Sequence, residues 1–401
     1  MSDPGNPVQE EFPSFQKARN VVKYIPGFLP PPAGGADPPE RIGDMSASQR
    51  LRDLLKMGPR TAAAVHNPSN MFYLTEGYTG EGLAYLSAAS QVIVTDFRYT
   101  EQAERQAPEF RVITVDSSAD HNHHLAALLR EEGITELRFE ADFLTVDEFE
   151  KLRSAAGEEI SYLPLDGAPQ QLRRVKTPAE IMTMRKAADI TSEAFRAILP
   201  KIREGMTEKE LQIELDFTML RLGADGNAFD TIIASGENGS LCHAIPGPRR
   251  LQRGDMITMD FGAKVGGYCR DMTRTVALGQ PSQEMRQIYD TVLRAHTLCE
   301  DALAAGKNCY DIDRLARDYI DARGYAGRFG HGLGHSVGID IHEEPRLSPK
   351  CHDILQAGVV ITVEPGVYIP GTGGVRIEDT CLVKENGCVP LTTADKQLII
   401  L

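Results

Sequence analysis

Tryptophan is absent from the 401 residues, and no part of the chain stays apolar for long. Runs such as Gly358-Val359-Val360-Ile361-Thr362-Val363 are strand-sized, against the roughly 20 residues a membrane-crossing helix needs. No membrane partner is expected. Basic residues are in deficit: 43 Lys and Arg stand against 57 Asp and Glu, a net charge of -14. A general nucleic-acid binder needs a basic face, so no nucleic-acid partner is expected either. There is no Cys-x-x-Cys pair, and the seven cysteines are an odd number. Both facts suit a reducing compartment better than a disulfide scaffold. Met1 to Glu11 is polar and acidic, without the basic start and apolar run of a secretory signal, so a cytoplasmic location is the expectation.

What remains is an ordinary globular composition, 41% hydrophobic and 25% charged. At roughly 100–200 residues per domain the length predicts two or three domains. Residues 1–45 hold nine of the 24 prolines and read as an irregular arm, with Phe12, Phe15, Tyr24, Ile25 and Phe28 as apolar anchors. From Ser46 the pattern becomes α/β. Ser46 to Met57 reads as a helix with Ser46 as N-cap and Gln49 completing a capping box. Ala62 to Val65, Gln91 to Thr95 and Phe110 to Val115 read as strands, and Asp120 to Glu132 and Thr145 to Ala156 as helices. A boundary falls near Arg173 to Pro178, because Thr177-Pro178-Ala179-Glu180 is a helix start: an N-cap, Pro in the first turn, and Glu three residues after the cap. The domains expected are therefore an arm over 1–45, a first domain over 46–172 and a second over 173–401. The second opens with two amphipathic helices, followed by strands, two more helices (Gln283 to Ala305, Tyr310 to Ala322) and further hairpins.

The chemistry lies in this second region. Gly254 to Gly262 and Tyr268 to Thr275 alternate like strands around Gly266-Gly267. Closure around Val265-Gly266 would set Asp260 directly opposite Asp271. A second hairpin, turning at Pro370-Gly371-Thr372-Gly373, would set Glu364 opposite Glu378. Facing acids on apolar strands require a metal or a cationic partner. Between them, Gly330 to Pro345 places three of the ten histidines, His331, His335 and His342, among closely spaced glycines. Four carboxylates and one imidazole form an oxygen-rich cage for two divalent ions, with Mn²⁺ favoured and Co²⁺ or Zn²⁺ as alternatives.

Taken together, Asp-Phe-Gly, Asp-x-Thr-Arg-Thr, His-Gly-x-Gly-His-x-x-Gly-x-x-x-His-Glu, Thr-Val-Glu-Pro-Gly and Val-Arg-Ile-Glu-Asp resemble the pita-bread metallopeptidases, in particular their Xaa-Pro branch of prolidase and aminopeptidase P. Asn67 to Thr75 and Val94 to Tyr99 resemble that family's N-terminal domain; residues 1–45 fall outside the resemblance. The fold so implied is an α/β N-terminal domain plus an α+β pita-bread (creatinase/aminopeptidase-like) catalytic domain. The implied metal ligands are Asp260, Asp271, His335, Glu364 and Glu378. His342 and His243 are the implied substrate-side histidines, and His331 and Arg376 line the pocket for the proline and its carboxylate. Glu364 is the implied proton shuttle between the attacking water and the leaving prolyl nitrogen, with His243 or His342 beside the oxyanion. The resemblance thus implies an enzyme, an Xaa-Pro dipeptidase acting as a homodimer on small peptides with proline second. Aminopeptidase P, acting on longer peptides, shares every one of these residues. Creatinase-like and non-catalytic, peptide- or protein-binding relatives are disfavoured because all five ligands are present.

Other features read as plain structure. His121-Asn122-His123-His124 is a solvated helix start, Cys242 and Cys269 are small buried hydrophobes, Glu131-Glu132 and Glu158-Glu159 are solvated faces, and Gly371 to Gly374 is a hairpin turn rather than a phosphate loop.

Overall fold

The computed structural model describes residues 45–117 and 119–401, and the Pro-rich arm lies outside the described residues apart from Met45. Six strands of the N-terminal part form one mixed sheet, in the order Arg111–Val115, Gln91–Asp96, Leu83–Ser87, Thr61–Val65, Glu136–Phe139, Ser161–Pro164. Thr61–Val65 shows why the sheet reads as continuously apolar. Ala63 and Val65 pack with Leu51, Met71 and Ile93 on one face, while Ala62 and Ala64 pack with Leu125, Leu129 and Leu137 on the other. A sheet covered by helices on both faces has no polar side to alternate with. The expected strands are present to within a residue; Leu83–Ser87, Glu136–Phe139 and Ser161–Pro164 are additional.

The helix starts follow side-chain chemistry. Thr145, Thr177 and Thr207 each accept from the backbone N–H three residues on, and the Glu at that position reaches back, giving full capping boxes. Ser46 caps its helix, but Gln49 turns away to bond Asp53, so the expected box there is only half made. The helix expected to run to Ala305 ends at Ala302, three residues earlier. None of the described helices is long and apolar enough to cross a membrane.

From Pro178 a pattern occurs twice: two long helices, then antiparallel strands. Helices Pro178–Ile198 and Glu208–Arg221 pack on strands Met256–Phe261 and Met272–Ala277 through Phe195, Leu211, Leu215, Ile257, Met259 and Phe261. Helices Gln283–Ala302 and Cys309–Ile320 pack on Val360–Val363 and Asp379–Lys384 through Ile288, Val292, Cys299, Ile361, Val363 and Cys381. All the strand ladders here are antiparallel among the described residues. Each hairpin therefore turns one face to helices and offers the other for a site.

The first hairpin differs from expectation in register. Asp260 pairs with Thr273, not with Asp271. The turn is made by Gly266 and Gly267, with φ of 54° and 81°, so closure comes one residue later than Val265-Gly266. Two consecutive positive φ values suit glycine, and they centre the hairpin on that pair. Closing one residue later slides the pairing by two, which preserves the face each side chain points to. Asp271 thus reaches the same cavity as Asp260 from a diagonal position. The second hairpin closes as expected: Gly366 pairs with Arg376 and Val363 with Asp379, so one register runs past Glu364 and Glu378.

Candidate active site

The inner faces of the two hairpins carry matching side chains. On the first, Thr258 and Thr275 share a buried hydroxyl contact of 3.0 Å beside Asp260 and Thr273. On the second, Thr362 pairs with Thr380 beside Glu364 and Glu378. The units are stitched together there: Thr273 Oγ1 donates to Glu378 Oε2 at 2.7 Å, Glu378 N–H donates to Thr273 O at 3.1 Å, and Thr275 Oγ1 donates to Arg376 O at 2.9 Å. His335 arrives on strand Gly334–Ser336, whose close approach depends on Gly334. A Cβ on Gly334 would lie 2.1 Å from Thr362 O. His335 N–H donates to Thr362 Oγ1 at 3.0 Å, locking that strand to the acid-bearing one.

The donor atoms converge. Ligand atoms of Asp271, His335 and Glu378 all lie within 4.8 Å of one another. His335 Nε2 lies 3.5 Å from both Asp271 Oδ2 and Glu364 Oε1, and its Nδ1 lies 3.1 Å from Ser336 O. An Nδ1–H given to that carbonyl leaves the Nε2 lone pair aimed at the carboxylates, the tautomer of a metal-ligating histidine. Asp260 Oδ1, Asp271 Oδ1 and Glu378 Oε1 are buried without hydrogen-bond partners. Buried acceptors facing one another need a proton or a cation among them. The electrostatics agree. Burial, then Asp260 and Glu364, push the Asp271 carboxyl well above its ordinary value. Burial and Asp271 do the same to Glu378, and burial and Glu378 lift Glu364 to about 8. Four carboxylates and one imidazole with orphaned oxygens fit a pair of divalent cations.

A second grouping, His296, Glu300 and Asp379, is equally tight, but its cations are already present. Lys396 Nζ is 2.7 Å from both Glu300 and Asp379, and Arg274 Nη2 is 2.6 Å from Asp379.

The remaining candidates surround the acids. A cavity of about 880 Å³ is lined by His243, Asp260, Asp271, His331, His335, His342, Glu364 and Arg376, so the structure brings the expected residues together, with Glu378 just behind the wall. His342 packs edge-on against His335, ring centroids 4.4 Å apart, and burial with that neighbour lowers its pKa to about 4, so it is neutral near pH 7. His331 is likewise neutral, lowered to about 4 by burial and Arg376, and its Nε2 lies 2.8 Å from Tyr368 Oη. Arg376 lines the cavity, and each nitrogen of its guanidinium also holds a neighbour. Nη2 donates to Asp260 Oδ2 at 2.6 Å, Nη1 to Tyr368 Oη at 2.9 Å and Cys242 O at 3.3 Å, and Nε to Thr273 Oγ1 at 3.1 Å.

Sequence reading missed Arg346, Tyr368 and Thr273. Arg346 lines the cavity four residues after His342, on strand Glu343–Leu347, and among the described residues its Nε holds only the exposed Glu344, at 3.2 Å. Its strand is polar and carries no periodic signal. Tyr368 stands across the hairpin from Gly374, and an aromatic facing a glycine is a cue that could have found it.

Residues 182–385 match metallopeptidase family M24, and residues 48–175 match the creatinase/prolidase N-terminal domain. An uncharacterized peptidase of Bacillus subtilis is 40% identical over 354 residues, covering 88% of this chain and 99% of that protein. Among solved structures, an Xaa-Pro dipeptidase from Bacillus anthracis superposes with a TM-score of 0.85 at 37% identity, covering 88% of this chain and 99% of its own. An X-Pro aminopeptidase from Thermotoga maritima gives a TM-score of 0.82 at 34% identity, with 88% and 100% covered.

Proposed function

The chain belongs to metallopeptidase family M24, with a creatinase/prolidase-type domain before the catalytic one, and on that basis we propose that it hydrolyses the Xaa-Pro bond of dipeptides. The observation that carries the reading is the convergence of three orphaned carboxylate oxygens with the free Nε2 of His335, two of the three carboxylates lining one large cavity and Glu378 lying just behind its wall. Asp260, Asp271, His335, Glu364 and Glu378 would hold two divalent ions, Mn²⁺ being favoured by the oxygen-rich donor set. Bound ions of this kind act as Lewis acids and lower the pKa of an attacking water.

The chain's own residues supply the rest. Glu364, ionised once a cation shares its site, can take a proton from the water and pass it to the prolyl nitrogen, which must be protonated to leave. His342 and His243, both lining the cavity, can donate N–H to the oxygen that gains charge. His331 lines the cavity and bonds Tyr368, which Arg376 also holds while it fixes Asp260 in place. Arg346 is the guanidinium placed to take the carboxylate of a dipeptide. Domain limits of 46–172 and 173–401, a homodimer and a cytoplasmic location complete the reading; the free thiols of all seven cysteines fit a reducing compartment.

The aminopeptidase reading has one specific support: about 880 Å³ is more space than a dipeptide fills. Hydrolysis of Ala-Pro beside Ala-Pro-Ala by Mn²⁺-loaded protein, with a chelated control, separates the two. Cleavage of the dipeptide alone establishes the dipeptidase. Equal or better cleavage of the tripeptide establishes the aminopeptidase, and no metal-dependent cleavage of either sinks both.

A further inference from the structure

His342 sits at the end of an irregular loop, residues 337–342, between strands Gly334–Ser336 and Glu343–Leu347. Such a loop has no ladder to fix it, yet a side chain that acts on a reacting group must be placed to well under an ångström. The catalytic part holds the start of the loop, where Val337 N–H donates to Val360 O at 3.0 Å and Cys269 N–H to Gly338 O at 2.7 Å, and its far end is held by residues distant in sequence. Arg173, whose side chain is 3% exposed, bridges a loop carboxylate and that of the first residue of the next strand: Nη2 lies 2.6 Å from Asp340 Oδ2 and 2.5 Å from Glu343 Oε1. Lys176, 1% exposed, donates to Glu343 Oε2 at 2.9 Å. Ser69 Oγ donates to Asp340 Oδ1 at 2.5 Å.

The bridge is itself anchored in the N-terminal part. Arg173 Nη1 donates to Asn70 Oδ1 at 2.8 Å, and Asn70 Nδ2 donates to Glu140 Oε1 at 2.6 Å. Glu140 Oε2 in turn accepts the backbone N–H groups of His66 and Asn67 at 2.6 and 2.7 Å. Two further observations tie the loop to this anchor. Ile339 is 5% exposed and belongs to the hydrophobic cluster of Leu51, Met71 and Leu74, while Val337 and Ile341 of the same loop pack with Met184, Cys269 and Val360 of the catalytic part. The Glu343 carboxylate also closes the loop from within, accepting Asp340 N–H at 3.2 Å and lying where a Cβ on Gly338 would meet it at 2.5 Å.

We propose that Arg173, gripping Asp340 and Glu343, is a positioning residue for His342: the N-terminal part sets the loop that aims this histidine into the cavity. The inference rests on the proposed role of His342 and assigns a task to the N-terminal part within each chain. Two buried cations facing two carboxylates, one of them beside His342 in sequence, make a rigid, charge-balanced clamp. Removing Arg173 leaves the buried Glu343 with Lys176 alone and the half-exposed Asp340 with Ser69 alone, so the tie between the two carboxylates is lost. The clamp touches neither the metal-ligand set nor the cavity floor, so its loss should move His342 and leave metal binding intact.

The test is a double-mutant cycle on Mn²⁺-loaded protein hydrolysing Ala-Pro, with Arg173→Met, His342→Ala and the pair. Arg173→Met should lower kcat by about tenfold or more while KM changes by less than about threefold. In the His342→Ala background the same change should lower kcat no further, because the residue it positions is gone. Equal loss in both backgrounds, or an unchanged kcat in Arg173→Met, overturns the proposal. If Arg173→Met does not fold, Ser69→Ala, which removes one neutral contact to Asp340, carries the same cycle with a smaller first loss. A wild-type protein that leaves Ala-Pro uncut with metal bound would refute the dipeptidase reading instead. In that case the ¹³C-labelled ring signal of His342 decides: a shift or broadening in Arg173→Met supports the clamp, and an unchanged signal overturns it.

Discussion

Replacing Glu364 with Gln should make the metal-free chain more stable, and the gain should grow with pH. The Glu364 side chain is 16% exposed, and burial with Glu378 lifts its carboxyl from 4.5 to about 8. Its folded pKa therefore lies above its unfolded one. Between those values the unfolded chain has lost the proton that the folded chain keeps, so unfolding releases a proton and stability falls as pH rises. At 1.36 kcal/mol per pKa unit the destabilisation is close to zero below pH 4, about 3 kcal/mol at pH 7, and levels off above pH 8 near 5 kcal/mol. Asp271 and Glu378, raised by the same crowding, act in the same direction. The assay is urea unfolding of chelator-treated wild type and Glu364→Gln at pH 5 and pH 8. Wild type should lose about 3 kcal/mol more than the variant over that interval. Manganese at about one hundred times its Kd should return about 2.7 kcal/mol to wild type and less to the variant. Equal pH slopes, or a variant less stable than wild type at pH 8 in chelator, would refute the reasoning.

Asp260→Ala should abolish turnover and reduce bound Mn²⁺, since it removes an orphaned acceptor of the cage; full activity in a metal-replete assay would remove Asp260 from the site. Arg376→Ala should lower kcat at least as much as it raises KM for Ala-Pro, because its Nη2 holds Asp260, whereas Arg346→Ala should act mainly on KM. The reverse pattern would return the carboxylate to Arg376. Gly334→Ala should cost about 3 kcal/mol or more and loosen metal binding, since its Cβ would lie 2.1 Å from a strand carbonyl beside the acids; calorimetry showing an unchanged Tm would contradict that close approach.

Local chemistry in the sequence was enough for most elements. Threonine followed three residues later by glutamate marks the helix starts at Thr145, Thr177 and Thr207, because the two side chains satisfy orphan N–H groups whatever lies around them. Glu136–Phe139 escaped notice because a four-residue strand is too short to establish a period, and Leu83–Ser87 because its packing on both faces removes the alternation.

The site divides in the same way. Residue types and spacing alone point to an oxygen-rich dimetal cage, since acids on apolar strands are costly to bury unless a cation joins them, and the register of the second hairpin follows from its symmetric turn. The first hairpin's register follows the two glycines that take positive φ, Gly266 and Gly267, a cue in the sequence that closure around Val265-Gly266 overlooks. Only the tertiary structure could show that Arg376 holds Asp260 and Tyr368, that Arg346 faces the cavity, and that Arg173 grips the loop of His342. Spacing along a chain determines what neighbouring residues can do together. Which distant charges meet is decided when separate hydrophobic cores pack, and long polar side chains then take whatever partners that packing leaves within reach.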